Sequence, residues 1–184
     1  MKAIEYCHRF NVIHRDIKPE NLLINPANGD LRLCDFGFAR ILSPNSKTPL
    51  TDYVATRWYR SPELLLGDNY GKEVDIWAIG CIMGEISDGD PLFPGESEID
   101  QLFCIQKIFG SLTPQQQEDF ANNPRYKGYK FPEVAKPETL EKHYLGKMNK
   151  KFLDLMKGML KMDPTERFTA IDCLAHEYFD GMRD

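Results

Sequence analysis

The chain has 184 residues, of which 42% are hydrophobic and 28% are charged, an ordinary composition for a domain with one hydrophobic core. With 23 Lys and Arg residues against 28 Asp and Glu residues, the formal net charge is −5. This mildly acidic balance gives no electrostatic basis for binding nucleic acid or an anionic membrane surface, so neither is expected as a partner.

The predicted elements of the first third begin with a helix over residues 1–10. Two short apolar runs follow at 22–24 and 31–34, joined by Asn-Pro-Ala-Asn-Gly-Asp at 25–30. This strong turn signal between two apolar runs predicts a small hairpin. Residues 35–63 have no sustained period and are rich in Ser, Thr and Pro. Segments of that length without regular structure are usually functional.

The remainder of the chain is predicted to be mainly helical, without a domain boundary. Residues 75–87 are apolar on almost every side, which indicates a central buried helix. An amphipathic helix is predicted over 97–109, with Ser97 and Asp100 as a capping box and Gly110 as its stop. Residues 111–149 are predicted to be irregular, with short helices. An amphipathic helix is predicted at 152–160, and a final helix is predicted from about Thr169.

Two segments that flank the predicted hairpin contain the residues of chemical interest. The first is His-Arg-Asp-Ile-Lys-Pro-Glu-Asn at 14–21, and the second is Asp-Phe-Gly at 35–37. The geometry of a hairpin can bring its two flanks together. Each charged residue alone would more often be a cap or a solvated charge, but the two segments at this spacing rarely arise by chance.

Phosphoryl transfer from ATP requires mainly groups that position the reactants and groups that stabilise charge. These segments supply both. A base must orient the hydroxyl of the substrate, and Asp16 suits this role. A cation near the γ-phosphate can neutralise the charge that develops, and Lys18 suits that role. Asn21 and Asp35 offer the oxygen ligands that Mg²⁺ prefers.

The two segments resemble the catalytic loop and the magnesium loop of eukaryotic protein kinases, and the resemblance covers the whole chain. Lys18, two residues after the catalytic Asp, is similar to the serine/threonine pattern rather than the tyrosine-kinase one. The resemblance implies a protein-kinase-like fold, specifically its C-terminal lobe, which is mainly α-helical with a small β-hairpin that carries both loops. It also implies ATP and Mg²⁺ as cofactors and proteins as substrates.

Further motifs of the family match at three places. Ser-Pro-Glu at 61–63 resembles the A-P-E motif with Ser in place of Ala. Asp75 begins a segment that resembles the central-helix motif, whose Asp holds the backbone of the catalytic loop by hydrogen bonds in the family. Arg167 lies where the family has an arginine paired with the A-P-E glutamate, here Glu63. Without the family, an ordinary surface arginine would be the preferred interpretation of Arg167.

A narrower resemblance concerns Val-Ala-Thr-Arg-Trp-Tyr-Arg-Ser-Pro-Glu at 54–63. It is similar to the CMGC group, which holds the cyclin-dependent, MAP and related kinases, and several stretches resemble the cyclin-dependent-kinase-like kinases most closely. The resemblance implies Ser or Thr targets followed by Pro, and an insert for which residues 111–149 are placed. The usual cyclin-binding helix would precede Met1, so the sequence gives no information about a cyclin.

The tripeptide Thr-Asp-Tyr at 51–53 resembles the T-x-Y activation motif of MAP kinases, although a chance tripeptide in a Ser/Thr-rich loop is the alternative. An upstream kinase or autophosphorylation would modify Thr51 or Tyr53, and a phosphate there adds nearly two negative charges that arginines can bind. The expected phosphate-pairing residues are Arg15, Arg57 and Arg60.

The five cysteines form no C-x-x-C pair, which is typical of reduced thiols in an intracellular protein. The start of the chain lacks the apolar region of a signal peptide, and no apolar run approaches the length of a membrane helix. We therefore expect an intracellular protein, and the family resemblance implies nucleus, cytoplasm or cilium.

The sequence contains neither G-x-G-x-x-G-x-V nor V-A-I-K, the motifs with which the family holds the phosphates of ATP,. We expect residues 1–184 to be the C-terminal lobe of a kinase domain without its N-terminal lobe, with an activation segment at 35–63, and to be inactive alone. The alternative is a non-catalytic fragment that binds substrates or partners through the helices and the insert. The intact catalytic and metal-binding motifs argue against that alternative.

Overall fold

A computed structural model of the chain describes residues 1–42, 57–67, 70–131 and 134–182. Its α-helices are α1 (Lys2–Arg9), α2 (Pro62–Leu66), α3 (Glu73–Asp88), α4 (Glu98–Phe109), α5 (Pro114–Asn122), α6 (Leu140–His143), α7 (Lys150–Met159) and α8 (Ala170–Ala175). Its strands are β1 (Val12–Ile13), β2 (Leu22–Ile24), β3 (Leu31–Leu33) and β4 (Arg40–Ile41). The expectation of a mainly helical fold with small antiparallel strand pairs is confirmed.

Strands β2 and β3 form the predicted hairpin. They pair antiparallel, with Leu22 opposite Leu33. The turn between them closes because the N–H of Asn25 donates to the carbonyl of Asp30 at 2.8 Å. Gly29 has a φ of 74°, a conformation that glycine adopts without steric cost. The turn therefore fixes the register, and the register decides which flanking residues lie side by side.

A second antiparallel pair, between β1 and β4, was not predicted from the sequence. Val12 lies opposite Ile41, and Ile13 lies opposite Arg40. The N–H of Leu42 extends the pairing by donating to the carbonyl of Asn11 at 2.8 Å. Two-residue strands show no alternation that a sequence pattern could reveal. The pair brings the residue before His14 close to the segment that follows Asp-Phe-Gly.

Helix α3 forms the centre of the core, as its all-round apolar sequence predicted. Trp77 and Ile76 are fully buried. Helix α7 packs closely against α3, since a Cβ atom added at Gly80 would lie 2.7 Å from Cγ of Leu160. A larger side chain at position 80 would therefore displace the side chain of Leu160. Ile86, in the last turn of α3, is instead 76% exposed, so the predicted burial does not extend to the end of the helix.

The start of α4 differs in part from the predicted capping box. Oγ of Ser97 accepts the N–H of Asp100 at 3.2 Å, which is the expected half. The carboxylate of Asp100, however, accepts the N–H of Glu96 at 2.9 Å rather than that of Ser97. Asp100 therefore also holds Glu96, the residue before the N-cap Ser97. Gly110 has a φ of 90° and ends α4 as predicted.

The irregular region predicted at 111–149 contains the short helices α5 and α6 and is attached to the end of α2. Oη of Tyr126 donates to the carbonyl of Leu65 at 2.6 Å, and Nδ2 of Asn123 donates to the carbonyl of Leu66 at 2.7 Å. These bonds satisfy carbonyl groups that a helix end leaves without intrahelical partners. Among the described residues, no helix has the length and apolar character needed to cross a bilayer.

Candidate active site

The loop from His14 to Asn21 runs between β1 and β2, and its backbone is held by Asp75 of α3. Oδ2 of Asp75 accepts the N–H of His14 at 2.9 Å, and Oδ1 accepts the N–H of Arg15 at 2.9 Å. Nε2 of His8 donates to Oδ2 at 2.8 Å. Arg15 has a φ of 68°, which is uncommon for a residue with a bulky side chain and needs such support. This is the role that the family resemblance implies for Asp75.

Replacing Asp75 by asparagine is expected to destabilise the fold by about 2 kcal/mol, the size of a lost charge-assisted hydrogen bond with its donor left buried. The amide can accept only through Oδ1, so one of the backbone donors from His14 and Arg15 loses its acceptor. Urea unfolding measures the change. The exposed Asp30→Asn variant is the control, and an equal effect in both variants would contradict the holding role of Asp75.

Asp16 lies inside this loop with a cation and an amide donor on one carboxylate oxygen. Asp16 is 8% exposed. Nζ of Lys18 lies 3.3 Å from Oδ2 of Asp16. Nδ2 of Asn21 donates to the same Oδ2 at 3.1 Å and to the carbonyl of Asp16 at 2.8 Å. Three of the predicted site residues are therefore in direct contact, and the orientation of the carboxylate is fixed.

Asp35 follows β3, and the hairpin brings it next to the loop that contains Asp16. The N–H of Cys34 donates to the carbonyl of Asn21 at 2.9 Å, and Nε2 of His14 donates to the carbonyl of Cys34 at 3.0 Å. Asp35 itself is exposed and has a φ of 61°, with Oδ1 accepting the N–H of Gly37 at 3.2 Å. The flanks of the hairpin thus meet, as the sequence predicted.

Asn21 and Asp35 have the donor atoms that a magnesium ion requires. Because Nδ2 of Asn21 donates to Asp16, Oδ1 is the side-chain atom of Asn21 that can bind a cation. Asp35 contributes an exposed carboxylate. Mg²⁺ commonly takes one or two protein oxygens and completes its shell with phosphate oxygens and water. The two residues fit this ligand set.

The pairing of Arg15, Arg57 and Arg60 with a phosphate stays a prediction, and the structure shows which protein groups lie beside them. Arg15 and Arg60 border one small cavity next to Asp16. Arg57 contacts a different segment, because its Nη1 donates to the carbonyl of Glu96 at 2.9 Å. The predicted phosphorylation sites themselves lie outside the described residues; they are Thr51 and Tyr53.

Two of these arginines have protein partners for their guanidinium groups. Nη1 of Arg15 donates to Oη of Tyr70, and Nε donates to the carbonyl of Phe38, both at 2.6 Å. Nη1 of Arg60 lies 3.8 Å from Oε1 of Glu98. An added phosphate would therefore compete with these partners or join them.

Glu63 and Arg167 form a buried, bidentate ion pair. Nη1 and Nη2 of Arg167 lie 2.7 and 3.2 Å from the two carboxylate oxygens of Glu63. The same guanidinium donates to the carbonyls of Glu73 and Lys161 and lies 5.0 Å from the ring centroid of Trp77. Arg167 is 5% exposed, which excludes the alternative of an ordinary surface arginine.

Sequence reasoning missed two residues of the site, His8 and Tyr70. His8 belongs to α1 and reaches Asp75 across 67 positions of the chain. Tyr70 reaches Arg15 across 55 positions. Neither residue has a distinctive neighbour in the sequence, and both acquire their roles only through tertiary contacts.

Comparison with known proteins shows which family the chain belongs to. A family model described as "Protein kinase domain" matches residues 1–179. Cyclin-dependent kinase-like 5 of Mus musculus is 58% identical over 183 residues, covering 100% of the chain but 19% of the relative. Cyclin-dependent kinase-like 2 of Oryctolagus cuniculus is 49% identical over 187 residues, covering 100% of the chain and 32% of the relative.

Cyclin-dependent kinase-like 4 of Mus musculus is 47% identical over 185 residues, again covering 100% of the chain and 53% of the relative. The chain thus spans from about a fifth to about half of the length of these relatives. Family membership rests on the agreement between this coverage and the motifs in the loop of Asp16. The chain belongs to the protein kinase family, and it is similar over its whole length to cyclin-dependent-kinase-like kinases.

Proposed function

We propose that this chain provides the catalytic half of an ATP-dependent protein kinase that transfers the γ-phosphate to serine and threonine hydroxyls. The observation that carries the proposal is the environment of Asp16. Its buried carboxylate is oriented by Lys18 and Asn21, in a loop whose backbone is held by Asp75. A carboxylate fixed in this way meets the positional demand that phosphoryl transfer makes on a base.

In the proposed mechanism, Asp16 accepts a hydrogen bond from the substrate hydroxyl and turns its oxygen toward the γ-phosphate. As the hydroxyl oxygen attacks the γ-phosphorus, the bond to the β–γ bridging oxygen breaks, ADP leaves, and Asp16 receives the proton of the hydroxyl. Lys18, 3.3 Å from Asp16, supplies positive charge beside the oxygens of the group being transferred. Because the loop is already hydrogen-bonded in place, little reorganisation is needed at the moment of reaction.

Asn21 and Asp35 are proposed to hold the magnesium ion that accompanies ATP. When bound, Mg²⁺ neutralises negative charge on the β- and γ-phosphates. The contact of Asn21 with Asp16 supports this assignment, since it fixes the amide of Asn21 with its nitrogen toward the base. The hydrogen bond between Cys34 and Asn21 keeps the start of the magnesium loop beside the catalytic loop.

The proposal also covers the organisation of the chain. Residues 1–184 form the C-terminal lobe of a kinase domain, with the activation segment at 35–63 and the group-specific insert at about 111–149. The pair between Glu63 and Arg167 supports an anchored end of the activation segment. Regulation by phosphorylation at Thr51 or Tyr53, by an upstream kinase or by the protein itself, is a prediction that follows from the T-x-Y motif.

The test joins the chain to the kinase-domain residues that precede the matching region in mouse Cyclin-dependent kinase-like 5. This chimera and the 184-residue chain are each incubated with radiolabelled ATP, Mg²⁺ and a protein substrate. We expect phosphoserine and phosphothreonine from the chimera, loss of labelling after chelation of Mg²⁺, and no labelling by the chain alone. The relative's own kinase domain is the positive control, and an inactive chimera beside an active control refutes the proposal.

We propose that the target serine or threonine is followed by proline. The segment at 54–63 carries the resemblance to proline-directed kinases, and its residues 57–60 are held in a fixed position. Nε1 of Trp58 donates to the carbonyl of Gly95 at 3.2 Å, and Nε2 of Gln101 donates to the carbonyl of Trp58 at 3.3 Å. A rigid surface of this kind can discriminate between side chains at the position after the target. Peptides that differ only in Ser-Pro against Ser-Ala should differ by about tenfold in kcat/KM, an ordinary size for one apolar contact. Equal values would remove the proline preference and leave the kinase assignment unaffected.

A further inference from the structure

A cavity of about 240 Å³ lies far along the chain from the catalytic loop, between the ends of α4 and α7 and the segment 137–141. Its apolar wall comes from all three elements. The residues that form this wall are Ile108, Phe109, Pro137, Leu140, Leu160 and Met162. Polar groups line the remainder, at Thr139, Glu141, Lys157 and Lys161. We call this space the α4–α7 cavity.

The wall formed by the segment 137–141 is held in place by the end of α4. The N–H of Glu138 donates to the carbonyl of Lys107 at 2.8 Å, and the N–H of Thr139 donates to the carbonyl of Ile108 at 3.1 Å. Thr139 has a φ of 69°, which is costly for a β-branched residue. Such strain persists where the surrounding structure enforces it and is concentrated at ligand-binding positions.

The charged groups of the α4–α7 cavity are unevenly paired. Nζ of Lys157 lies 2.5 Å from Oε1 of Glu141, and this hydrogen bond lowers the pKa of the Glu141 carboxyl from its ordinary value. Lys161 is exposed, and within the described parts of the chain no carboxylate lies at ion-pair distance from its Nζ. Its backbone is fixed, because its carbonyl accepts Nη2 of Arg167 at 2.9 Å. The cavity therefore has one cation more than it has anions.

We propose that the α4–α7 cavity binds a small organic acid, with an apolar body against the wall and a carboxylate at Nζ of Lys161. The volume of about 240 Å³ is below the range of roughly 300–1,000 Å³ typical of sites for larger ligands. It suits a short hydrocarbon chain or one aromatic ring. A helical segment of another protein would need a longer groove. This inference does not depend on kinase activity.

The test measures octanoate binding to the 184-residue chain by calorimetry, with octylamine as the cationic control. Octanoate should bind with one site and more tightly than octylamine. Lys161→Gln should weaken it about fivefold, the size of an exposed charge pair. Glu141→Gln should strengthen it, because Lys157 then has no carboxylate partner in the cavity. Lys130→Gln changes an exposed lysine outside the lining and should have no effect.

The location is checked by amide chemical shifts, which should change at Thr139 and Lys161. Circular dichroism verifies that each variant is folded, and since Glu141 and Lys161 are exposed, folding and binding are separable. The proposal is overturned by any of three outcomes: no octanoate binding, equal affinities for octanoate and octylamine, or an unchanged affinity in Lys161→Gln. Shifts confined to the hairpin around Leu23 would equally reject the α4–α7 cavity as the site.

Discussion

Replacing Arg167 by alanine is expected to lower the free energy of unfolding by about 3–5 kcal/mol, the usual cost of leaving one partner of a buried ion pair without the other. The carboxylate of Glu63 is 8% exposed and would keep its charge without its bidentate partner. The carbonyls of Glu73 and Lys161 would also lose a donor. The contact with the Trp77 ring would be lost as well.

Urea unfolding of the 184-residue chain measures this loss, with Arg125→Ala as the matched control. The side chain of Arg125 is 41% exposed, and its Nη1 lies 3.4 Å from Glu98. An exposed pair of this kind contributes at most about 1 kcal/mol. The double variant with Glu63→Gln should recover part of the loss, because the uncompensated charge is then removed. Equal effects of Arg167→Ala and Arg125→Ala would mean that the buried pair does not hold the fold together.

The features that could be predicted from the sequence are those determined by neighbouring residues. The hairpin of β2 and β3 follows from a turn signal between two apolar runs, and its register then brings Cys34 beside Asn21. The buried helix α3 follows from apolar residues on almost all of its sides. For the hairpin the turn residues leave few alternatives, and for α3 a surface position would expose many apolar side chains.

The features that could not be predicted depend on contacts between distant parts of the chain. The pairing of β1 with β4 joins Ile13 to Arg40, and each strand is too short to show a period. The hydrogen bond that Nη1 of Arg15 donates to Oη of Tyr70 likewise joins distant parts of the chain. The phosphate-pairing role of Arg15, Arg57 and Arg60 stays a prediction, whereas the hydrogen bond from Arg57 to the carbonyl of Glu96 is a long-range contact that no sequence pattern indicates. Charge and proximity in sequence do not determine where a long side chain points.

Replacing Asp16 by asparagine is expected to lower kcat of the chimera by about 10²–10⁴-fold, the contribution typical of a positioned acid or base. The amide has the same shape, so the loop held by Asp75 should keep its conformation. It cannot receive the proton of the substrate hydroxyl, and its NH₂ group would face either Lys18 or the substrate instead of accepting a hydrogen bond. ATP binding should be unchanged, because Asn21 and Asp35 keep their ligand atoms.

The matched control for this prediction is Asp30→Asn in the turn of the hairpin, where the side chain of Asp30 is 57% exposed. Both variants remove one carboxylate from the same part of the chain, so a general effect of charge would appear in both. We expect activity loss in Asp16→Asn alone, with an unchanged KM for ATP. If the Asp16→Asn chimera kept more than about a tenth of its activity, Asp16 would be only a positioning group, since loss of a true base costs at least about a hundredfold. The environment formed by Lys18 and Asn21 would then need a structural explanation.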